Sequence, residues 1–494
     1  MKASVSPLSI LLLGILGFLS GCATRPVNPP VTQVDPDGGY RFETRHRKAV
    51  DQENLVILAF SGGGTRAAAF SYGVLEFLRR AEMVMPNGQK VRMLDEIDVI
   101  TGVSGGSFTA LSYALYGDKL FDEYEKRFLK RNVQGEIVSR VLSPTYWPSL
   151  ASTAWGRSEL AANLYDEILF NNATFGDLGK GNGPMVLVAA TDITTGSRFT
   201  FHQREFDAIC SDLSKFPLSR AAAASSAVPV VLSPITLNNY GGTCGWVDPD
   251  WIKPFSDPNN PSRPAARIMR TVAAEHAFAN GAKRPYLHLV DGGVSDNVGM
   301  RNVLESLEML EALSDSGIPT PLDKVRRVIV FMVNSMSSPK TNWDESESPP
   351  GTVDILLKAA GTPIDHYSYE ATELLRDTAS RWRTARLIKN SPAMKANKDP
   401  EVQAALRAPM AEIYTIDVSF QSLDDQAERD YLNQLPTSFV LDDEAVDRLR
   451  AAAGKIILKA PDFKRLQNDV SLTFGPDPIY PPAPVKTETP PLGG

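Results

Sequence analysis

Ser104 lies in a glycine-rich turn whose pattern is typical of a nucleophilic serine. The turn reads Gly102-Val103-Ser104-Gly105-Gly106 and follows an apolar run over residues 97–101. This fits G-x-S-x-G, a strand-to-helix turn that presents a serine hydroxyl at the top of a sheet. A serine hydroxyl attacks only when a neighbouring base takes its proton. The pattern alone also fits a glycine-rich turn without catalysis, so the base must be sought elsewhere in the chain.

A second glycine-rich segment offers backbone N–H groups for a developing negative charge. It follows the apolar run 55–60 and stands at the start of a helical stretch. Its three glycines are Gly62, Gly63 and Gly64. Consecutive amides in this position can form an oxyanion hole, which indicates acyl transfer when combined with a serine nucleophile. Arg66, in the first helical turn, is expected to hold this loop or attract a phosphate; the alternative is a surface arginine.

The same glycines allow a different interpretation. The spacing Gly62-x-Gly64-x-x-Ala67 after a strand matches a dinucleotide fingerprint, and Glu82 is near the position expected for its acidic residue. The serine turn further along the chain favours the oxyanion interpretation.

The base can be a histidine in a conventional triad. In the chain order Ser, Asp, His, the pairs available are Asp248 or Asp250 with His276 or His288.

Asp291 is the better candidate for the base. It comes directly after the strand-like residues 286–290 and before Gly292 and Gly293. An acid at the end of a strand is expected at the same sheet edge as the serine. Asp291 can alternatively cap the loop or helix that follows it.

Four blocks of the chain resemble the patatin-like phospholipase family in order and composition. They read Ser61-Gly-Gly-Gly-Thr-Arg66, Gly102-Val-Ser-Gly-Gly106, Ala222-Ala-Ala-Ser-Ser-Ala-Val-Pro229 and Asp291-Gly-Gly293. Together they cover roughly residues 53–300, and their combination is far more specific than any single block. The family usually has aspartate or glycine where this chain has Ser61, a difference that keeps the amide donors of the loop.

The resemblance implies a lipid acyl hydrolase with a Ser–Asp dyad and no catalytic histidine. Ser104 is then the nucleophile, Asp291 the base, and residues 62–64 the oxyanion loop. An aspartate with its ordinary pKa is a poor base, so the dyad must lie in a shielded pocket where burial raises that pKa. The expected substrates are phospholipids or lysophospholipids, cleaved through an acyl-enzyme intermediate, and no cofactor or metal is expected.

Two other functions stay open at this point. One is a Ser–His–Asp esterase that uses His288 or His276. The other is a non-catalytic, lipid-binding lipoprotein of the cell envelope.

Alternating strand-like and helical stretches predict an α/β fold. Predicted strands cover 55–60, 97–101, 185–190, 198–202, 286–290, 326–333 and 412–418; predicted helices cover 66–81, 106–116, 119–132, 158–170, 218–227, 299–313 and 364–389. Several strands are continuous β-branched runs, as in buried parallel sheets. We expect a three-layer α/β/α patatin-like sandwich with a mostly parallel central sheet and a helix-rich C-terminal extension.

The N-terminus is typical of an exported lipoprotein. Lys2 precedes an apolar stretch over residues 8–19, which is too short to span a bilayer comfortably. It ends in Leu19-Ser-Gly-Cys22, which resembles the bacterial lipobox. Cys22 is therefore the predicted lipidation site and membrane anchor, and Ala23 after it indicates the outer membrane, facing the periplasm.

The 494 residues divide into several predicted segments. These are a signal peptide (1–21), a proline-bearing tether (22–50), a patatin-like acyl hydrolase domain (51–335), an extension packed on or continuing that domain (336–475) and a disordered tail (476–494). With 51 basic and 58 acidic residues and no basic run, nucleic acid is not an expected partner. The sequence gives no indication of the oligomeric state.

Two further features concern the predicted domain. Cys210 and Cys244 are the remaining cysteines, and an exported protein is expected to join such a pair in a disulfide rather than keep two buried thiols. The aromatic, proline-broken stretch 142–150, with Trp155, can line an acyl entrance or belong to the core.

Overall fold

A computed structural model describes most of the chain between residues 24 and 477. The described residues are 24–42, 53–84, 88–152, 155–249, 252, 266–315, 318–339, 341, 343–400, 402–403 and 411–477. Cys22, the predicted signal peptide, Asp250 and nearly all of the predicted tail lie outside these residues. Among the described helices, none has the length and apolar character needed to cross a bilayer.

Eight strands form one mixed, mostly parallel sheet, and three short strands form a second one. The strands are β1 Asn54–Phe60, β2 Ala81–Val84, β3 Lys90–Arg92, β4 Ile97–Val103, β5 Met185–Asp192, β6 Ser197–Phe201, β7 Ile235–Asn238, β8 Tyr286–Asp291, β9 Arg327–Asn334, β10 Glu412–Ser419 and β11 Leu472–Phe474. The large sheet has the order β10-β9-β1-β4-β5-β8-β7, with β6 paired to β5, and the small sheet has the order β11-β2-β3. All seven predicted strands are present, within two residues at each end.

The centre of the large sheet is its most apolar part. β1 is buried along its whole length, and so are residues 328–333 of β9, the strand beside it. Strands β10, β9, β1, β4 and β5 are parallel neighbours. Continuous apolar strands of this kind need cover on both faces, which explains why they lack the alternation of a half-exposed sheet.

Helices cover both faces of this sheet. They are α1 Gly64–Arg80, α2 Gly105–Tyr116, α3 Leu120–Tyr124, α4 Val133–Leu142, α5 Trp147–Leu150, α6 Arg157–Tyr165, α7 Phe175–Lys180, α8 Gln203–Ala208, α9 Leu218–Ser225, α10 Ala266–Phe278, α11 Gly293–Asp296, α12 Met300–Asp315, α13 Thr352–Asn390, α14 Pro392–Ala396, α15 Gln426–Gln434, α16 Asp443–Lys459 and α17 Pro461–Asp469. The predicted helices 119–132 and 158–170 each end in a π-helical turn, Glu125–Leu129 and Asp166–Phe170.

The C-terminal region is continuous with the rest of the fold. β10 pairs with β9 in parallel from Glu412 opposite Arg327 to Ser419 opposite Asn334. α16 packs on α1 so closely that a Cβ at Gly73 would stand 2.5 Å from the Arg450 carbonyl oxygen. The buried Arg450 also pairs with Glu76 of α1 at 2.7 Å. Residues 411–477 therefore complete the sheet and one of its helical layers.

The segment 24–42 lies against the domain, which differs from the extended tether expected here. The Asn28 side chain donates to Ser211 Oγ at 2.9 Å, and Tyr40 is buried. Cys210 and Cys244 form a disulfide, and the carbonyl groups of these two cysteines accept hydrogen bonds from the Val31 and Val34 amides. Proline and charge composition predicted the lack of regular structure but not this docking.

Candidate active site

Ser104 stands between the end of β4 and the start of α2 in a strained backbone conformation. Its φ of 47° and ψ of −120° lie outside the regions that most residues adopt. The next turn of chain runs so close to β1 that a Cβ at Gly106 would stand 2.7 Å from the Phe60 carbonyl oxygen. Only glycine fits there, which explains the second glycine of the motif. Strain of this kind is typical of a serine presented at the carboxyl edge of a sheet.

Ser225, at the end of α9, supports this turn. Its hydroxyl accepts a hydrogen bond from the Ser104 N–H at 2.8 Å and donates to the Ala189 carbonyl of β5 at 2.7 Å. The alanine- and serine-rich block 222–229 was recognised as a family feature, but nothing in its composition predicted that one of its hydroxyls holds the nucleophile's backbone.

Asp291 reaches Ser104 because of strand register. Val103 is opposite Ala189, which brings Ser104 level with Ala190, and Asp291 is opposite Ala190 from the other side. This register brings the Ser104 side chain close to the Asp291 carboxyl, and their interaction lowers the pKa of Asp291. The two residues are therefore adjacent, as expected. The reason differs from the expected one, because β8 runs antiparallel to β5 and its end is not at the carboxyl edge of a parallel sheet.

The Asp291 carboxyl is buried and held in one orientation. The Gly293 N–H donates to its Oδ1 at 2.7 Å, and the Asp291 N–H itself donates to the Ala227 carbonyl at 3.0 Å. Burial raises the pKa of Asp291 to about 6, against the opposing effect of the hydrogen bonds from Gly293 and Ser104. The raised pKa makes this carboxylate a stronger base than one in water.

The three glycines of the first loop are not equivalent. The Gly62 N–H donates to the Asn297 carbonyl at 2.9 Å, so this amide already has an acceptor. Gly63 has a φ of 139°, and Gly64, with a φ of 62°, is the first residue of α1. The first amides of a helix have no acceptor within it, which makes Gly63 and Gly64 the better donors for an oxyanion. The expected set of three donors is thus reduced to two.

Ser61 and Ser335 fix the glycine loop to the end of β9. The Ser335 N–H donates to Ser61 Oγ at 2.9 Å, and Ser335 Oγ donates to the Gly62 carbonyl at 3.1 Å. The hydroxyl at position 61 thus has a structural partner in this chain.

Arg66 holds the loop from inside the protein and is 3% exposed. Its guanidinium donates to the Ser335 carbonyl and the Leu435 carbonyl, both at 2.7 Å, and to Thr437 Oγ1 at 3.1 Å. Of the predicted roles, these contacts are those of a loop-positioning residue, and the surface alternative is wrong.

The candidate histidines have partners other than the nucleophile. His276 Nε2 is 2.6 Å from Asp248 Oδ1 on the surface, and His288 Nδ1 is 3.0 Å from Thr236 Oγ1. Among the described residues, no hydrogen bond joins Ser104 to a histidine.

Asn297 was missed by the sequence analysis. A Cβ at Gly62 would stand 2.5 Å from Asn297 Oδ1 and 3.2 Å from Ser104 Cβ, so the amide side chain lies beside Ser104. The available signal was its place six positions after Asp291, on the turn that follows the short helix α11.

The aromatic stretch divides between core and surface. Tyr146, Leu150 and Trp155 pack against the core, whereas Leu142 and Trp147 are exposed. Within the part of the chain that the structure describes, no group of three or more His, Cys, Asp or Glu side chains is arranged to hold a metal ion.

A family model for patatin-like phospholipases matches residues 58–304. The chain belongs to the patatin-like phospholipase family. The match includes the glycine loop, Ser104, the block 222–229 and Asp291, and it ends before β9 and β10.

Individual relatives of this patatin-like chain are distant. The cGAMP-activated phospholipase of Escherichia coli (strain TW11681) is 26% identical over 192 residues, which are 38% of this chain and 49% of that protein. The chain thus spans about half the length of this curated relative. Human GIVD cytosolic phospholipase A2 is similar with a TM-score of 0.42 and 13% identity, over 90% of this chain and 66% of that one. VipD from Legionella pneumophila has a TM-score of 0.24 and 10% identity, over 88% of this chain and 73% of that one.

Proposed function

We propose that this protein hydrolyses carboxylic ester bonds of phospholipids or lysophospholipids with Ser104 and Asp291 as a catalytic dyad. The observation that carries the proposal is the strand register that places Ser104 beside the buried Asp291 carboxyl, in a chain of the patatin-like phospholipase family. The raised pKa of Asp291 supports its role as the base.

In the first step, Ser104 Oγ attacks the ester carbonyl carbon while its proton moves to Asp291. The carbonyl oxygen becomes an oxyanion, which the Gly63 and Gly64 amides bind. The ester C–O bond then breaks, Asp291 gives the proton to the departing alcohol or lysolipid, and the acyl group stays on Ser104.

In the second step, water attacks the acyl-enzyme and Asp291 accepts a proton from it. The bond between Ser104 Oγ and the acyl carbon breaks, the proton returns to Ser104, and a fatty acid leaves. Each cycle therefore consumes one ester and one water and restores the free dyad.

Single substitutions test this proposal. We expect Ser104→Ala and Asp291→Asn to abolish fatty-acid release and Ser104→Ala to abolish labelling by a fluorophosphonate probe. His276→Ala and His288→Ala should keep both properties. Activity lost in a histidine variant that remains folded favours the Ser–His–Asp esterase. A purified protein that neither reacts with the probe nor cleaves any ester favours the non-catalytic lipoprotein.

We also propose that Cys22 carries lipid and anchors the enzyme to the bacterial outer membrane, facing the periplasm. The support is the lipobox-like Leu19-Ser-Gly-Cys22 after a short apolar segment. Mass spectrometry of the mature N-terminus should find acylated Cys22, and Cys22→Ser should move the protein out of the membrane fraction. An unmodified Cys22 in that fraction contradicts the anchor.

A further inference from the structure

Two neighbouring valines project from the loop that follows α9. Val230 is 58% exposed and Val231 is 55% exposed. Val230 also has a φ of 74°, in the left-handed region that β-branched residues rarely adopt. A loop that holds a valine in a strained conformation and leaves both side chains in water gains nothing from its own packing. Such a feature is typical of a contact surface.

This loop adjoins the candidate active site. Val230 lies three residues after Ala227, whose carbonyl accepts the hydrogen bond from the Asp291 N–H at 3.0 Å. The Leu232 N–H donates to the Val228 carbonyl at 2.9 Å, which closes the turn and leaves the two valines at its tip. The valines are thus attached directly to the backbone that holds the proposed base.

A cation lies beside the valines. The first residue of α6, Arg157, is exposed, and its guanidinium donates to the Val230 carbonyl at 3.1 Å. Among the residues that the structure describes, it forms no ion pair with a carboxylate, unlike the nearby Arg140, which pairs with Glu167. Within the described part of the chain, this positive charge has no carboxylate partner and lies next to an apolar surface.

A second apolar group lies on the segment that precedes Arg157. Val138 and Leu142 are four residues apart on α4, so they share one face of that helix, and both are exposed. Trp147, on α5, is exposed as well. α4 packs against α6, the helix that begins at Arg157. At its other end, the Gln134 N–H of α4 donates to the Phe439 carbonyl, next to the Ser438 carbonyl that binds the Thr65 N–H.

We propose that Val138, Leu142, Trp147, Val230 and Val231 form an apolar rim that inserts into the surface of a phospholipid bilayer, with Arg157 at the level of the headgroup phosphates. This inference rests on the proposed function, because it assigns the surface through which that active site meets its substrate. The rim combines apolar tips, a tryptophan and a free cation, which is the composition that suits a lipid–water interface. The phosphate of an anionic lipid headgroup provides a negatively charged partner for Arg157.

The test measures binding apart from catalysis and from the lipid anchor, in a chain that carries Ser104→Ala and Cys22→Ser. Vesicles of phosphatidylglycerol and phosphatidylcholine in equal parts are sedimented with the protein, and the bound fraction is measured. Adding Val230→Ser and Val231→Ser should weaken partition into the vesicles by about tenfold or more, since two apolar side chains lose their burial in lipid. Arg157→Gln should weaken binding to these vesicles more than binding to pure phosphatidylcholine.

A matched pair of exposed apolar residues provides the control. Leu387 and Ile388 of α13 are 68% and 53% exposed. They follow Arg386, which pairs with Glu412 at the amino end of β10, so they lie at the sheet edge opposite the dyad. Leu387→Ser with Ile388→Ser should leave vesicle binding unchanged. Equal losses for both pairs, or no vesicle binding by the Ser104→Ala chain, overturn the proposal.

Two further measurements separate the proposal from its alternatives. Size-exclusion chromatography without lipid tests self-association, and a dimer that Val230→Ser and Val231→Ser dissolve would assign the rim to a second copy of this chain. In the chain with Ser104 intact, the valine substitutions should reduce hydrolysis of vesicle phospholipid more than hydrolysis of a short-chain, water-soluble ester. If the unaltered protein cleaves neither substrate, the proposed function fails. Vesicle binding by the inactive chain still tests whether the rim inserts into a bilayer.

Discussion

The hydroxyl of Ser225 joins the backbone of Ser104 to the backbone of β5. It accepts from the Ser104 N–H at 2.8 Å and donates to the Ala189 carbonyl at 2.7 Å. Both of its hydrogen bonds are buried, so neither backbone group can turn to water if the hydroxyl is removed.

Ser225→Ala should therefore destabilise the protein and slow catalysis. We expect a loss of about 1–3 kcal/mol in the free energy of unfolding, measured by denaturant titration. We also expect kcat for a short-chain ester to fall by about tenfold or more, because the nucleophile loses a fixed position. Ser112→Ala is the control: Ser112 is also buried, but its hydroxyl has no partner among the described residues. A Ser225→Ala protein as active and stable as the Ser112→Ala protein would contradict this role.

The pH dependence of the reaction should follow the ionisation of Asp291. Burial raises its pKa to about 6, and only the ionised carboxylate can accept the serine proton. The value of kcat/KM should therefore rise with pH up to about 6 and level off above it. Asp248→Asn, which changes the surface partner of His276, should leave this profile unaltered. A rate that falls as pH rises through the same range is incompatible with Asp291 as the base.

Asp291→Asn should gain stability as it loses activity. The folded-state pKa lies above the ordinary value of 3.8, so the folded protein binds this proton more tightly than the unfolded chain. Stability from this group is therefore present at low pH and is lost as pH rises from about 4 to about 6. At pH 7 the asparagine variant should be more stable than the unaltered protein by up to about 3 kcal/mol, and at pH 4 the difference should shrink to about 0.5 kcal/mol. Denaturant titrations at the two pH values measure it, and equal stabilities at pH 7 would argue against the raised pKa.

Arg66→Ala should loosen the glycine loop. The buried guanidinium donates hydrogen bonds to the Ser335 and Leu435 carbonyls and to Thr437 Oγ1, and its removal takes a charged donor away from each of them. We expect a loss of about 3 kcal/mol in unfolding free energy, together with slower labelling of Ser104 by a fluorophosphonate. Arg79→Ala, on the exposed face of the same helix, should cost less than about 0.5 kcal/mol. If Arg66→Ala keeps full stability and weakens only phospholipid binding, Arg66 contacts substrate instead.

Reduction of the Cys210–Cys244 disulfide should lower stability without abolishing the active site. The two cysteines are 34 positions apart, and a loop of that length contributes about 3–4 kcal/mol when it is closed. A chain with both cysteines changed to alanine should show the same loss and should not respond to dithiothreitol. Thermal unfolding with and without reductant measures the difference, and an unchanged midpoint in the unaltered protein would contradict it.

Much of the sheet could be predicted because apolar runs such as residues 55–60 and 328–333 are long and uninterrupted. The three short strands of the small sheet could not, since the Lys90–Arg92 segment carries two charges and has no strand-like pattern of its own. The antiparallel direction of β8 could not be predicted either. The residues around Asp291 indicate the end of a strand, but they do not show how that strand is oriented relative to its neighbours.

The two residues of the proposed dyad were predictable, whereas the groups that hold them were not. Ser104 and Asp291 carry local motifs, so their types and neighbours identify them. Leu435 and Asn297 contribute backbone carbonyls, which any residue type supplies, and Ser335 adds one hydroxyl that belongs to no motif. The Gly62 N–H donates to the Asn297 carbonyl, a backbone contact between two segments far apart in the chain. Residue spacing cannot predict a contact of this kind.

Ser438 lies near the end of the chain, yet its carbonyl binds the Thr65 N–H at 2.8 Å beside the glycine loop. Ribosomes synthesise the N-terminal part first, so Ser104 and the glycines exist long before this support. Until residues 411–477 are made, the nascent polypeptide lacks the contacts that shape its glycine loop. A chain truncated before Ser438 would therefore lose the acceptor that fixes the Thr65 N–H.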